Sequence, residues 1–231
     1  MKTERDVLAR QPKFRKNNNF AIRLFSAGIL IPLSLVLIYS GPPFSLILGG
    51  LVILCLFIEW GNLCLKNPFS LWKKLFFILL GTLYLSTAIY WLIPYLIFSE
   101  GWKFLFWLLF LVWGTDSASY MGGRLLGGPK LAPSISPHKT WAGFMTGMAG
   151  GSIIGYFTAL WLLPGIFSLL SIFSLVLIAQ GGDLLESQVK RWSYVKDSSP
   201  LIPGHGGFLD RLDSLIAVSF ALALWQIVRN I

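Results

Sequence analysis

Long apolar blocks follow one another along this chain, separated by short stretches rich in glycine, proline and basic residues. The blocks lie near residues 20–39, 44–64, 75–98, 103–121, 141–163, 166–183 and 208–228. Each is close to the roughly 20 residues that an α-helix needs to cross a bilayer core. The pattern predicts an all-α, polytopic integral membrane helical bundle with about seven transmembrane helices. Gly49-Gly50, Gly81 and the run from Gly147 to Gly155 mark places where helices can approach closely. Trp72, Trp91, Trp102, Trp141 and Trp161 fit interfacial aromatic belts.

Composition agrees with this reading. Of 231 residues, 55% are hydrophobic and 13% charged, about half the charged fraction of an ordinary soluble domain. Residues 1–19 are polar and basic and are expected to form a cytoplasmic tail, with 20–231 a single transmembrane catalytic domain. The first block ends in Gly-Pro-Pro without a small-x-small cleavage site, so it reads as a retained helix rather than a signal peptide. The formal charge of +9 does not point to nucleic acid, because the basic residues flank the apolar blocks and act as topology markers and lipid-headgroup partners. With the N-terminus in the cytoplasm, seven spans leave only Lys103 and Arg229 on the opposite side. The segments 114–140 and 183–213 then face the cytoplasm, where nucleotides are. Cys55 and Cys64 share one apolar block and read as core residues; no Cys/His metal pattern is present.

Five of the ten acidic residues fall between Gly181 and Asp213. Ionised carboxylates are costly at membrane depth and mark functional sites there. The expected block boundaries place Asp183 and Glu186 at the end of one helix, and Asp210 and Asp213 at the start of the next. Asp183, Glu186 and Lys190 are spaced to share a helix face. Oxygen ligands without cysteine suit magnesium, which combines one or two carboxylates with substrate phosphates. Ion pairing with Lys190, Arg191 and Arg211 is the plainer account, but four acids joined by the loop Pro203-Gly204-His205-Gly206-Gly207 favour a site. Its glycines let backbone amides approach a phosphate. A second cluster runs from Asp116 to Arg124 and from Ser134 to Trp141. Asp116 reads either as a site residue or as a polar bridge between helices. Ser136, Lys139 and Thr140 read as triphosphate contacts, Lys139 equally as a topology anchor. Glu59, before Trp60, is as readily structural as functional.

These residues carry a resemblance. Ser187, Lys190, Arg191, Lys196, Asp197, Pro203, His205, Gly206, Gly207, Asp210, Arg211 and Asp213 match the signature of the phosphatidate cytidylyltransferase (CDP-diacylglycerol synthase) family. The Gly-Asp-Leu-Leu-Glu-Ser segment, the stretch from Trp113 to Tyr120, and Ser134 to Gly143 are similar to further family motifs. Two departures are evident. His138 stands where the family commonly has lysine, and the chain is shorter, as if lacking a helix pair before Gly81.

The resemblance implies transfer of the cytidylyl group from CTP to phosphatidic acid, giving CDP-diacylglycerol and pyrophosphate. It implies Mg2+, with a second cation in the same site, held by Asp183 and Asp210 first and by Asp213 and Asp116 next. Lys190, Arg191, Arg211 and Lys139 would hold triphosphate or headgroup. His205, Ser136, Thr140, Ser187, Lys196, Gly206 and Gly207 would contact substrate. A homodimer is compatible with this, and a bacterial inner membrane is the expected location. A CTP-dependent polyprenol or lipid kinase is the nearest alternative, distinguished by releasing CDP. A cation transporter would place its acids near the midplane of repeated halves, whereas here they gather at one face.

Overall fold

The computed structural model describes residues 20–229; the expected basic tail, 1–19, lies outside them. Seven helices follow in order: α1 (Phe20–Tyr39), α2 (Phe44–Lys66), α3 (Leu71–Ile97), α4 (Gly101–Leu125), α5 (Trp141–Leu162), α6 (Leu169–Trp192) and α7 (Leu209–Arg229). Between α4 and α5 the chain forms a small antiparallel hairpin, β1 (Lys130–Ala132) and β2 (Ser136–Thr140). Helices α2, α3, α4, α6 and α7 are long and apolar enough to cross a membrane, and the protein is an integral membrane protein. The described apolar stretch of α1 is shorter, Leu24–Tyr39. In α5, Gly143, Gly147, Gly150, Gly151 and Gly155 dilute the hydropathy.

Those glycines set the closest packing in the bundle, because helices without side chains at the contact can bring their backbones together. A Cβ at Gly151 would strike the Thr115 side chain on α4, and one at Gly147 would strike Ser119 Oγ. Thr146 Oγ1 donates across the seam to Ala118 O at 3.0 Å. Below the seam, Trp107 is fully buried and its Nε1 donates to Gly155 O at 3.0 Å, satisfying the indole's single donor.

Two apolar cores meet on α7. One joins Trp107, Leu111 and Val112 of α4 to Met148 of α5, Ile172 and Val176 of α6, and Val218 of α7. The other joins Leu56 and Leu63 of α2 to Leu85 and Ala88 of α3, and to Leu209 and Ile216 of α7. The last helix is thus clamped on both sides, and its first turn has a fixed position against α2 and α6.

One expectation is corrected in detail. The sixth apolar block was expected to end near 183, but α6 continues as one helix to Trp192. Asp183 and Glu186 therefore lie within a helix rather than at its end. Beyond 183 the polar face is supported by the Glu186–Lys190 ion pair, one helical turn apart. The segment 114–140 is likewise ordered, as the last turns of α4 and the hairpin. The link from α6 to α7 folds back on itself, with an isolated bridge between Ile202 and Gly206. Gly206 has φ +88° there, a backbone state that glycine adopts without penalty.

Replacing Gly151 with leucine is expected to cost about 1–3 kcal/mol through overpacking. Thermal unfolding in detergent checks this, with Gly50→Leu as control, since a Cβ at Gly50 meets nothing within 4 Å.

Candidate functional site

Helical periodicity places Asp183, Glu186, Ser187 and Lys190 on one face of α6. The Lys190 side chain is only 12% exposed and reaches two acids, Glu186 on its own helix and Asp210 Oδ1 on α7 at 2.7 Å. Both Glu186 carboxylate oxygens are buried and accept no other hydrogen bond among the described residues. Lys190 is the counter-charge that allows the two buried acids to remain near one another.

Asp210 is engaged at both oxygens. Its Oδ2 accepts from Ser198 N at 2.9 Å and Gly207 N at 2.8 Å, and lies 3.0 Å from Ser198 Oγ. It thereby closes the loop between α6 and α7 onto the first turn of α7, where an acid also favours the helix dipole. A Cβ at Gly207 would run into Ser198 Oγ and both Glu59 oxygens. The glycine at 207 is required by this internal crowding, and its amide already faces Asp210.

Glu59 reaches the same loop from α2. It is 1% exposed. It accepts from Ser199 Oγ at 2.6 Å, Ser198 Oγ at 2.9 Å, Phe208 N at 2.9 Å and Leu209 N at 2.7 Å. The last two are amides that a helix start leaves without intrahelical partners.

The second half of the site is more open. Lys139, on β2, pairs with Asp183 Oδ2 at 2.6 Å, both side chains being partly exposed. Asp116 is exposed on α4, and the charges of Asp183, Lys139 and Arg211 act on it. Asp213 on α7 is influenced by both Asp183 and Asp116. Four elements thus bring Asp116, Asp183, Asp213 and Lys139 together. Asp210 stands beside them, tied into the loop.

The remaining predicted residues are held as follows. Arg191 Nε donates to Ile135 O at 3.0 Å, joining the end of α6 to the hairpin. Arg211 donates through Nε and Nη2 to His205 O at 3.0 and 2.8 Å. His205 Nδ1 lies 2.9 Å from Ser26 Oγ on α1. Thr140 caps α5, its hydroxyl accepting from Gly143 N at 3.1 Å, so its side chain serves the fold at the point where β2 turns into the helix. Ser187 Oγ makes a long contact of 3.5 Å to Asp183. Ser136 opens β2, Lys196 is exposed on the link, and Gly206 takes the positive-φ turn. Sequence reasoning missed Ser198 and Ser199, whose signal was two hydroxyls beside the acid-rich loop. It also left Glu59 undecided.

The donor chemistry fits a hard divalent cation. Asp116 and Asp213 have no ion-pair partner among the described residues, while the charge of Asp183 acts on both. Like charges gathered in this way favour a cation between them. No three His, Cys, Asp or Glu side chains among the described residues are already grouped so as to hold an ion.

With helical bundle, loop and acid cluster in place, comparison with known proteins gives the class. Residues 63–228 match the Cytidylyltransferase family, and the chain belongs to it. Among individual relatives, it is 46% identical over 132 residues to the phosphatidate cytidylyltransferase of Brucella suis biovar 1 (strain 1330), covering 54% of this chain and 47% of that protein. It is 32% identical over 214 residues to that of Rickettsia felis (strain ATCC VR-1525 / URRWXCal2), covering 87% of this chain and 90% of the relative. Against that of Bacillus subtilis (strain 168) it is 38% identical over 173 residues, 70% of this chain and 62% of the relative. The chain thus spans about half the length of the Brucella relative but nearly all of the Rickettsia one.

Replacing Lys190 with methionine leaves Glu186 and Asp210 without their cation. The expected cost is about 3–5 kcal/mol, as for breaking other buried pairs from one side. A lowered unfolding temperature in detergent checks it, and the double variant Lys190→Met/Glu186→Gln should recover part of the loss.

Proposed function

We propose that this protein transfers the cytidylyl group of CTP to phosphatidic acid, forming CDP-diacylglycerol and releasing pyrophosphate. The observation that carries the reading is the gathering of Asp116, Asp183, Asp213 and Lys139 at one end of a membrane bundle. Family membership and the names of the relatives support it.

In this reaction an oxygen of the lipid phosphate attacks the α-phosphorus of CTP, and the bond from that phosphorus to the bridging oxygen of the β-phosphate breaks. The nucleophile is already anionic at neutral pH, so the site needs no strong general base. Its task is to position two anions and to stabilise the charge that develops between them. Asp183 and Asp210 would hold Mg2+, with Asp213 and Asp116 available to a second cation. Bound there, the metal supplies charge neutralisation for the phosphates. The ammonium of Lys139 balances Asp183, and that of Lys190 balances Asp210. Lys139, beside Asp183, would also contact the triphosphate, with Arg191 and Arg211 contributing further positive charge. His205, Gly206, Ser136, Ser187 and Lys196 would contact the lipid headgroup or nucleotide.

The basic residues flanking the spans support an N-terminus and a site on the cytoplasmic side, where CTP is found. The bacterial source of the relatives supports an inner membrane.

The test supplies CTP, phosphatidic acid and Mg2+ to the purified protein and measures pyrophosphate. Magnesium-dependent release is expected, falling by on the order of 10²-fold or more in Asp183→Asn and about 10²-fold in kcat for Lys139→Met, as when one stabilising donor is lost. Release of CDP in place of pyrophosphate would make the protein a lipid kinase instead.

A further inference from the structure

A carboxylate that receives four hydrogen bonds in a sealed environment is fixed more tightly than a merely tolerated polar residue. Glu59 is such a group, and it reaches the signature loop from a different helix. Its two oxygens divide the work. Oε1 accepts from Ser199 Oγ and Phe208 N; Oε2 accepts from Ser198 Oγ and Leu209 N. All four donors belong to the link that carries Gly206 and Gly207 or to the entrance of α7, and none belongs to α2. The carboxylate therefore contributes little to its own helix and much to the placement of the acid-bearing one.

Ser198 connects Glu59 to the acid cluster. Its hydroxyl lies 2.9 Å from Glu59 Oε2 and 3.0 Å from Asp210 Oδ2. One hydroxyl carries one proton, so it serves one acceptor at a time. Asp210 Oδ2 also receives the amides of Ser198 and Gly207, and Lys190 holds the other Asp210 oxygen. Ser198 thus hands its hydroxyl proton to Glu59 while its own amide holds Asp210. A chain of contacts runs from Glu59 through Ser198 to Asp210, Lys190 and Glu186, linking α2, α7 and α6.

We propose that Glu59 is a positioning residue for the reaction. It sets the direction of the first turn of α7, and through Ser198 the orientation of Asp210, without touching substrate. This inference rests on the cytidylyl-transfer reading for its kinetic consequence and on the hydrogen bonds alone for its structural one.

Glutamine at 59 keeps the shape but replaces one accepting oxygen with an NH2 facing two donors, so half of the cradle is lost. Aspartate keeps the charge but falls one methylene short. The full chain in detergent is assayed as Glu59→Gln, Glu59→Asp, Ser198→Ala and the Glu59→Gln/Ser198→Ala double variant. Ile172→Ala, in the other core, supplies a control for lost stability. The expected result is a fall in kcat of about 10²-fold in Glu59→Gln, the scale of an ångström-level misplacement, with the KM for phosphatidic acid little changed. Glu59→Asp recovers part of the rate. The double variant is no slower than Glu59→Gln alone, because both changes break one chain. Hydrogen exchange is expected to quicken at Ser198, Gly207, Phe208 and Leu209 while α4 and α5 stay protected.

Three outcomes overturn the proposal: wild-type kcat in Glu59→Gln, a rate loss no larger than that of Ile172→Ala at an equal fall in unfolding temperature, or additive effects in the double variant. If the wild-type protein releases no pyrophosphate, the reaction reading fails instead. The exchange measurement then decides alone, and unchanged protection of the loop in Glu59→Gln overturns the positioning role.

Discussion

Lys190 stands between Glu186 and Asp210, largely removed from water, and most of the polar end of the bundle depends on that arrangement. Three charges in a low-dielectric setting are tolerable only when opposite signs are adjacent and the remaining lone pairs are met. Asp210 satisfies the second condition through the link between α6 and α7. That link must therefore fold back over the acid, so that the Ser198 and Gly207 amides both reach one oxygen. Electrostatics at one lysine thus dictates the shape of a whole connecting segment.

The helix that receives this segment is the one best fixed by the apolar cores. Since α7 is packed on one side against α4 and α6 and on the other against α2 and α3, its first turn cannot drift without disturbing both. Hydrophobic burial supplies the rigidity, and hydrogen bonds to Glu59 and Asp210 supply the aim. The tight α4–α5 seam fixes the part of α4 that carries Asp116, so acids from distant parts of the sequence act on one another.

Much of this could be read from the residues themselves. Seven apolar blocks gave seven helices because block length and hydropathy decide helix formation at membrane depth. The acid spacing in 183–190 gave a shared face because α-helical periodicity is rigid. The continuation of α6 to Trp192 was harder to see, since Asp183, Glu186 and Lys190 look like the end of a span when the Glu186–Lys190 pair and the pairing of Asp183 with Lys139 are unknown. The hairpin at 130–140 carries no strong alternation and is held by Arg191 from a distant helix. Glu59 shows the limit most clearly. An acid beside a tryptophan in an apolar run says nothing about the four donors that meet it, because those donors lie well over a hundred positions further along the chain and only tertiary packing unites them.

The crowding around Gly207 bears on how substitution data for this family are to be interpreted. A side chain there would push apart the Glu59 carboxylate and Ser198 before it ever met a nucleotide. An inactive variant at this position would look like the loss of a ligand contact, while the injury would be to the scaffold behind it. Loss of activity on replacing a motif glycine reports intolerance to volume. Which neighbour is intolerant, the bound molecule or the protein's own interior, is a separate question that activity alone does not answer.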